Sequence, residues 1–473
     1  MNARVGILAA AGAGLALLAA TSGGFGAGLA LALAVGLGVL AYRLHRSSER
    51  SLPPWIVAAG AAAMWLGAGW LLAGAGLAGL GALGLGALVL LTGSQISLYQ
   101  TPLPEGVELP APLALRTNLA AALDESMRFV WAVTALLSPR SPVARIAGDL
   151  REAARRHEEE GILADPSRAH PHPPALEKFR LTRERVPRLG SIEQLRFESE
   201  YVARDPEIRD AYASIASNQT AVAHLFRHGD RPRPTLVCIH GYGMGRIGLD
   251  AWQWDIDTWH RGLGLDLAMP VLPLHGPRAP GRRSGAGFLD GHPLQTNAAF
   301  GQAIWELRRL IGWLRQQGAP AVGVTGMSLG GYTTALLASL EQGLACAIPT
   351  IPAVSLSELL AQDLSEEALR AREREGLDAA LWEKAWAPHA PLGHRPRVAP
   401  EARLIVGARA DRICPPAQTH ALWKHWDEPS LHWTPGSHLA PIGRGETRDR
   451  VVAHLRETLL AVPTPSLSRF AMR

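Results

Sequence analysis

Cysteine is scarce in this chain, and its pattern excludes two kinds of structure. Three cysteines occur among 473 residues, and Cys238, Cys346 and Cys414 lie far apart. Because their number is odd and no two are closely spaced, the sequence predicts neither a disulfide framework nor a cysteine metal site. The same pattern favours a reducing compartment.

Charge is missing from two long stretches near the N-terminus. Residues 5–42 contain no charged side chain, and neither do residues 55–92. A helix rises about 1.5 Å per residue and a bilayer core is about 30 Å thick, so one span needs roughly 20 residues. Each stretch is nearly twice that length. We therefore predict a membrane anchor over residues 1–95, most simply four helices in two hairpins, with breaks near 21–24 and 73–76.

Other interpretations of this region stay open. One tilted span per stretch would give two spans, and residues 1–20 could instead be a secretory signal peptide. A transporter is disfavoured because the middles of the helices carry no charged or strongly polar residue. Glycine is abundant in the second stretch and would let neighbouring helices pack closely. The glycines concerned are Gly67, Gly69, Gly74, Gly76, Gly79 and Gly81.

Positive charge beside the predicted spans indicates their orientation. Arg4 precedes the first stretch, and Arg43, Arg46 and Arg50 lie between the two. The positive-inside rule places these residues in the cytoplasm. With four spans the chain leaves the membrane on that same side, which predicts a multi-pass protein of the inner (cytoplasmic) membrane whose soluble part is cytoplasmic. With two spans the soluble part would lie outside.

Beyond the anchor, the residue pattern predicts a linker, a folded domain and a tail. Residues 96–190 form a linker with an amphipathic helix at 118–138 and a charged, solvated helix at 146–160. Over 191–463, short apolar strands alternate with helices, which predicts an α/β fold: a mainly parallel, doubly wound sheet with an N-terminal antiparallel hairpin. Residues 464–473 are predicted as a tail. The net charge of +5 is modest and arginines are mixed with acidic residues, so nucleic-acid binding is not expected.

The first chemical signal is a serine between a strand and a helix. The run Gly-Met-Ser-Leu-Gly at 326–330 follows a predicted strand at 321–325 and opens a helix at 332–340. Such a motif is weak alone in a glycine-rich chain, but strand–turn–helix is the setting that a nucleophile elbow requires. The glycines permit the strained turn. Ser328 is the candidate nucleophile, and the Leu329 N–H could stabilise an oxyanion.

A glycine-rich turn upstream supplies a second candidate oxyanion donor. His240-Gly241-Tyr242-Gly243 ends a predicted buried strand. The backbone N–H of Tyr242 could point at the same reacting atom as that of Leu329. His240 itself is predicted to be structural rather than catalytic.

A carboxylate and a histidine complete the predicted set. Asp411 follows a predicted strand at 403–406, and His438 follows the last strand, 27 residues further on. Side chains at the carboxyl ends of parallel strands meet at one edge of the sheet, so Asp411 can reach His438. The chain order serine, aspartate, histidine is the one expected for this arrangement.

Residues from about 192 to 461 resemble the α/β-hydrolase superfamily. The resemblance rests on the turn at 240–243, the Ser328 turn, the Asp411 loop and His438. It implies that Ser328 attacks an acyl carbon, that His438 takes its proton, and that Asp411 holds the imidazole. No cofactor and no metal are expected for this chemistry.

The stretch between the predicted strands at 344–350 and 403–406 is longer than a simple crossover needs. The family commonly inserts a cap here, and residues 354–390 are predicted to form helices that either cover the site or extend the outer layer. Three arginines on the loop after another strand are candidates for binding a substrate anion or lipid head group, or are simply solvated. They are Arg278, Arg282 and Arg283.

The expected activity is hydrolysis of a carboxyl ester of a lipid or hydrophobic acyl substrate. A protein tethered at a bilayer meets such substrates at high local concentration. Thioester or amide cleavage by the same residues is the alternative within this chemistry. A non-catalytic α/β-hydrolase scaffold serving as a membrane interaction module is the alternative of another class. The expected partners are the substrate and the lipid bilayer, and the oligomeric state stays open.

Overall fold

A computed structural model gives the fold over residues 2–22, 24–47, 49–109, 111, 113–137, 143–289 and 292–462. The predicted tail at 464–473 lies outside these described residues.

Four apolar helices form the N-terminal bundle within the described residues. They are α1 (Asn2–Ser22), α2 (Gly24–Arg46), α3 (Pro53–Leu72) and α4 (Gly76–Gln100). Each is long and apolar enough to cross a bilayer. The predicted breaks coincide with the ends of these helices, so four helices rather than two form this region.

Glycines bring α3 and α4 into close contact. A Cβ atom on Gly67 would lie 2.7 Å from the Gly79 carbonyl oxygen, and one on Gly86 would lie 2.7 Å from the Gly60 carbonyl oxygen. Small residues allow such backbone approach between membrane helices. Close packing is confirmed for Gly67 and Gly79. It is wrong for three other glycines, where a Cβ atom would meet nothing within 4 Å: Gly69, Gly74 and Gly76.

Two helices connect the bundle to the sheet. Helix α5 (Leu115–Leu137) and helix α6 (Val143–Glu159) occupy the predicted linker. The expectation that α6 is simply solvated is wrong, because Ala147, Leu150 and Ala153 are fully buried in the core of the soluble domain. Its small residues every three or four positions form that buried face.

A nine-stranded sheet organises the soluble part, and its topology confirms the predicted α/β-hydrolase fold class. The strands are β1 (Arg180–Val186), β2 (Gly190–Glu198), β3 (Thr220–Phe226), β4 (Thr235–Ile239), β5 (Asp266–Val271), β6 (Val322–Met327), β7 (Ala347–Thr350), β8 (Leu404–Ala408) and β9 (Ser430–Thr434). Their order is β1-β2-β3-β5-β4-β6-β7-β8-β9. Strands β1, β2, β3 and β5 pair antiparallel in that order, and pairing is parallel from β5 to β9.

The sheet begins earlier than the predicted domain boundary at residue 191. Strand β1 pairs along its whole length with β2, from Arg180 opposite Arg196 to Val186 opposite Gly190. None of its side chains is buried, and three of its seven residues are arginines. An exposed edge strand has no apolar face, so the alternation that reveals other strands is absent here.

Nine further α-helices accompany the sheet among the described residues of the soluble part. They are α7 (Pro206–Ala213), α8 (Ile247–Gln253), α9 (Pro293–Gln316), α10 (Leu329–Leu340), α11 (Leu356–Gln362), α12 (Glu366–Arg374), α13 (Ala379–Trp386), α14 (Pro416–His425) and α15 (Arg444–Glu457). Helix α10 is buried along its whole length, which fixes the position of the turn that precedes it. Helices α11 to α13 form the predicted insertion at 354–390.

Candidate active site

Ser328 occupies a strained turn between β6 and α10. Its φ of +58° lies in the left-handed region that side chains other than glycine rarely adopt. The backbone N–H of Ser328 donates to the Thr350 carbonyl at 3.0 Å, which holds the turn against β7. A Cβ atom on Gly326 would collide with the Gly330 carbonyl, and one on Gly330 with the Ile239 carbonyl. The turn therefore has the geometry of a nucleophile elbow.

Asp411 and His438 form a buried pair at the carboxyl edge of the same sheet. The Asp411 Oδ2 and His438 Nδ1 atoms are 2.7 Å apart. The other carboxylate oxygen of Asp411 accepts the backbone N–H groups of Ile413 at 2.9 Å and Cys414 at 2.7 Å. Asp411 thus caps its own turn and orients the imidazole with the same carboxylate. This contact leaves His438 Nε2 facing away from the acid, as a general base requires.

Opposing effects act on the protonation of His438. Burial alone would lower the pKa of its imidazole, but the Asp411 carboxylate favours the charged ring and raises the pKa of His438 well above its ordinary value. A histidine paired with a buried carboxylate is therefore a strong proton acceptor.

Ser328 and His438 both influence the ionisation of the Cys414 thiol, so these three side chains lie close together. The loop after β8 that carries Asp411 and Cys414 (the acid loop) thus approaches both the candidate nucleophile and the candidate base. Among the hydrogen bonds of the described residues, none joins Ser328 directly to His438, and catalytic hydrogen bonds often tighten only with substrate in place. Burial raises the pKa of the Cys414 thiol, so it stays protonated at neutral pH.

The two predicted oxyanion donors flank Ser328. Leu329 is the first residue of α10, where backbone N–H groups have no acceptor within the helix. The turn that carries Tyr242 passes close by, since a Cβ atom on Gly241 would lie 3.7 Å from the Ser328 Cβ. Both backbone positions are thus near the nucleophile.

His240 has a structural role, as predicted. It is buried, its Nε2 accepts the backbone N–H of Leu272 at 3.0 Å, and its Nδ1 lies 2.8 Å from the Gly241 carbonyl oxygen. These two contacts define a neutral imidazole that ties the Tyr242 turn to the end of β5.

The prediction that Arg278 binds substrate is wrong. Its side chain is 1% exposed, and its guanidinium forms two hydrogen bonds to the Glu306 carboxylate, at 2.6 and 2.7 Å. The backbone carbonyls of Val271 and Asn218 each accept a hydrogen bond from one of its Nη atoms. Both Nη atoms are thus paired inside the protein, and the Nε is buried as well, so no donor of Arg278 is open to a ligand.

Arg282 and Arg283 remain candidates for a substrate or head-group contact. Both are exposed, and Arg283 Nη1 donates to the Tyr242 hydroxyl at 3.3 Å. Their loop therefore runs beside the turn that carries one of the oxyanion donors.

A large cavity opens beside His438 on one face of the sheet. Its volume is about 860 Å³, and Met327, His438 and Leu439 are among the residues that line it. The indole rings of Trp254 and Trp259, 5.7 Å apart between centroids, also line it. A cavity of this volume is large enough to hold an organic ligand.

The residue that braces the loops of Asp411 and His438 was not predicted from the sequence. Asp124 of helix α5 is fully buried and accepts hydrogen bonds from the loop of Asp411 and the loop of His438. The available signal was a pair of acidic residues, Asp124 and Glu125, within a largely apolar helix. No motif connects a linker helix with an active site some three hundred residues away.

The insertion at 354–390 contacts the acid loop through one end of α11. The Gln362 amide donates to the Ile413 carbonyl at 3.1 Å, and the Asp363 carboxylate pairs with Arg128 of α5. Residues of this insertion do not line the cavity described above. Its role as a lid stays a prediction.

One group of described residues has the composition of a metal site. Candidate ligand atoms of His228, His260 and Asp266 lie within 4.8 Å of one another. However, one Asp266 oxygen already accepts the His228 backbone N–H and lies 3.0 Å from its Nδ1. Hydrogen bonding accounts for this cluster, and we assign no metal to it.

The sequence of the catalytic region matches a known family model. Residues 295–369 match the model described as alpha/beta hydrolase domain containing 18. The match runs from α9 through the Ser328 turn and β7 into α12, so it includes the candidate nucleophile.

Relatives of similar length extend this similarity. The Mycobacterium tuberculosis protein MT2702 (strain CDC 1551 / Oshkosh) is 35% identical over 345 residues, which cover 71% of this chain and 82% of the relative. Protein Rv2627c of strain H37Rv is 36% identical over 313 residues, covering 65% of this chain and 75% of the relative. Both relatives are described as uncharacterized proteins.

Distant similarity to solved structures is also found. An acetyl xylan esterase from Paenibacillus sp. R4 is 13% identical and superposes with a TM-score of 0.44. The matched region covers 68% of this chain and 96% of the esterase. Acetyl xylan esterase 1 from Thermoanaerobacterium sp. JW/SL YS485 is 16% identical and superposes with a TM-score of 0.42. The matched region covers 66% of this chain and 98% of the esterase. Such similarity says nothing about the substrate. With its sheet order, its Ser328 turn and these sequence relatives, the chain belongs to the α/β-hydrolase superfamily, in one family with the two mycobacterial proteins.

Proposed function

We propose that this protein is a membrane-anchored serine hydrolase that cleaves a carboxyl ester of a lipid or other hydrophobic acyl substrate. The observation that carries the proposal is the buried Asp411–His438 pair, 2.7 Å between Oδ2 and Nδ1, next to a serine on a strained turn. Such a pair beside a nucleophile elbow is the arrangement that activates serine for acyl transfer.

In the proposed mechanism, His438 Nε2 takes the proton of Ser328 as Oγ attacks the acyl carbon. The N–H groups of Tyr242 and Leu329 stabilise the oxyanion that forms. Protonated His438 then gives its proton to the leaving alcohol, which departs from an acyl-enzyme on Ser328. A water molecule, deprotonated by His438, attacks this ester, and His438 returns the proton to Ser328 Oγ as the acid leaves. Asp411 holds the imidazole tautomer and stabilises its charged form throughout.

The preference for a hydrophobic acyl group is inferred from the cavity and the anchor. A volume of about 860 Å³ falls within the roughly 300–1,000 Å³ typical of small-molecule sites. Its tryptophans add apolar surface to the same cavity that His438 lines. The bundle would hold the catalytic residues near a bilayer, where lipids are concentrated.

The chemistry is tested by ester turnover with the full-length protein in detergent or nanodiscs. Across p-nitrophenyl esters of increasing acyl length, we expect higher kcat/KM for long chains than for acetate. Ser328→Ala should lower kcat by roughly a thousandfold or more. The control Ser214→Ala, at an exposed position at the end of α7, should keep full activity.

Matched thioesters and anilides, assayed in parallel, distinguish the related activities. A preference for either would replace ester hydrolysis while retaining the same three residues. Turnover that survives Ser328→Ala would contradict the mechanism, and a complete lack of turnover would favour the non-catalytic scaffold.

We also propose that the catalytic residues face the cytoplasm. The Arg4 guanidinium lies over the Tyr99 ring, 4.3 Å from its centroid, so α1 begins where α4 ends. The Arg50 carbonyl, between α2 and α3, accepts a hydrogen bond from Arg128 of α5 at 3.1 Å. The basic residues and the exit from the bundle thus share one end, which the positive-inside rule assigns to the cytoplasm.

A further inference from the structure

Asp124 connects the loops that carry the candidate acid and base. Its Oδ2 atom accepts the backbone N–H groups of Arg412 at 3.0 Å and His438 at 2.9 Å. Its Oδ1 atom accepts the Ser437 hydroxyl at 2.9 Å and the Leu439 N–H at 3.0 Å. One carboxylate therefore binds residue 412 of the acid loop and three consecutive residues of the base loop.

A carboxylate is rarely buried without such partners. Moving a charged group out of water costs several kcal/mol unless donors compensate for the loss of hydration. Asp124 is fully buried, and its four donors occupy both oxygens. Three of the donors are backbone N–H groups, so this carboxylate fixes the backbone of the two loops rather than particular side chains.

Helix α5 is in turn attached to the end of the membrane bundle. The Ser97 hydroxyl of α4 donates to the Glu125 carboxylate, next to Asp124. The Ser97 carbonyl accepts a hydrogen bond from Arg412 Nη1 at 3.3 Å. Arg128 pairs with Glu125 at 2.8 Å. A continuous set of buried polar contacts thus runs from the anchor to the catalytic loops.

We infer that Asp124 is a positioning residue for the reaction, holding the acid and base loops in register and fixing them to the membrane end of the protein. The inference rests on the proposed function, because it assigns a role relative to Asp411 and His438. Asp124 does not touch the reacting atoms. It acts through the backbone on either side of the catalytic pair.

The charge of Asp124 gives this role a distinctive signature. The ionisable groups that interact with it are Asp411 and Arg412 from the acid loop and His438 from the base loop. Its own helix also carries Glu125 and Arg128, which pair with each other. Burial and the nearby Asp411 carboxylate raise the pKa of Asp124 to about 6, while His438 acts in the opposite direction. Reciprocally, ionised Asp124 favours the protonated form of His438.

The test compares Asp124→Asn with the full-length wild type in nanodiscs. Asparagine keeps one acceptor oxygen but turns an amide donor toward two N–H groups. We expect kcat to fall by about 10- to 100-fold, as for other residues that orient a catalytic group, with KM changing little. The acid limb of the kcat/KM profile should move to lower pH, because loss of the negative charge lowers the pKa of His438.

Ser126→Ala, on the same helix, is the matched control. Among the described residues the Ser126 hydroxyl donates to the Ala122 carbonyl within α5 and to no other group, so this variant should keep the wild-type rate and pH profile. Ser437→Ala removes a single donor to Asp124 and should slow fluorophosphonate labelling of Ser328 by about three- to tenfold.

A folded Asp124→Asn protein with wild-type kcat and an unmoved acid limb would overturn the inference. Should that variant not fold, an unchanged labelling rate in Ser437→Ala would overturn it instead. If the wild type is labelled normally, either of these two results would leave the proposed serine chemistry intact. An unlabelled wild type would refute both proposals.

Discussion

His438 shows how the surroundings of one side chain determine when it can act as a base. Burial disfavours its charged form, yet the Asp411 carboxylate outweighs burial and raises the pKa of His438 well above its ordinary value. A general base must be neutral to accept a proton, so the protonated fraction at a given pH is inactive.

We therefore expect kcat/KM of the wild type to fall as the pH falls, with an apparent pKa above about 6.5. Activity should still be rising at neutral pH and level off in the alkaline range. The measurement is ester turnover at low substrate concentration over pH 5–10. A profile that is flat down to pH 5 would mean that a group other than His438 is the base.

Single residues also mark the limit of sequence reasoning. Ser328, Asp411 and His438 were predictable because each follows a strand, and the ends of parallel strands meet at one edge. Arg278 was misassigned because a sequence does not reveal that Glu306, 28 residues away, takes up its charge inside the core. Asp124 was missed because three of its four donors are backbone N–H groups, which leave no trace in side-chain identity.

At the scale of elements, the turn between β6 and α10 depends on glycines that leave no room for a side chain. A Cβ atom on Gly330 would collide with the Ile239 carbonyl of β4, a backbone atom that cannot move away. The close approach of α10 to β4 thus requires glycine at this position.

We predict that Gly330→Ala abolishes ester turnover and lowers the unfolding temperature, because it forces α10 and the Ser328 turn away from β4. The matched control is Gly312→Ala within α9, where a Cβ atom would meet nothing within 4 Å. Alanine is favoured over glycine inside a helix by about 1 kcal/mol, so this variant should be as stable as the wild type or more so. Equal stability of the two variants, measured by thermal unfolding, would contradict this account of the turn.

Elements with a strong apolar pattern were predictable from sequence, and those without one were not. The four bundle helices and the buried strands β4 to β8 carry long apolar runs that point to one structure. Strand β1 carries none, since it lies exposed at the edge and pairs only with β2. The linker helix α5 has the expected apolar pattern, but its place against the catalytic loops follows from tertiary packing.

The molecule as a whole joins its bundle and its hydrolase fold through α5. The basic loop between α2 and α3 and the end of α4 lie beside this helix. If the catalytic part is cytoplasmic, the loop between α3 and α4 must lie on the opposite side of the membrane.

Cysteine labelling can test this orientation, because the three native cysteines are buried. A membrane-impermeant maleimide applied to intact spheroplasts should label Ala73→Cys, in the loop between α3 and α4. It should label Ser214→Cys, at the end of α7, only after the membrane is permeabilised. The reverse pattern would place the catalytic residues outside the cytoplasm.

The central claim is that Ser328 is the nucleophile of an acyl-transfer reaction. Its most direct test is mass spectrometry of the full-length protein after treatment with a fluorophosphonate. The account predicts one covalent adduct on the peptide that contains Ser328, formed far more slowly in His438→Ala. An adduct on another residue, or an equal rate in the histidine variant, would contradict it.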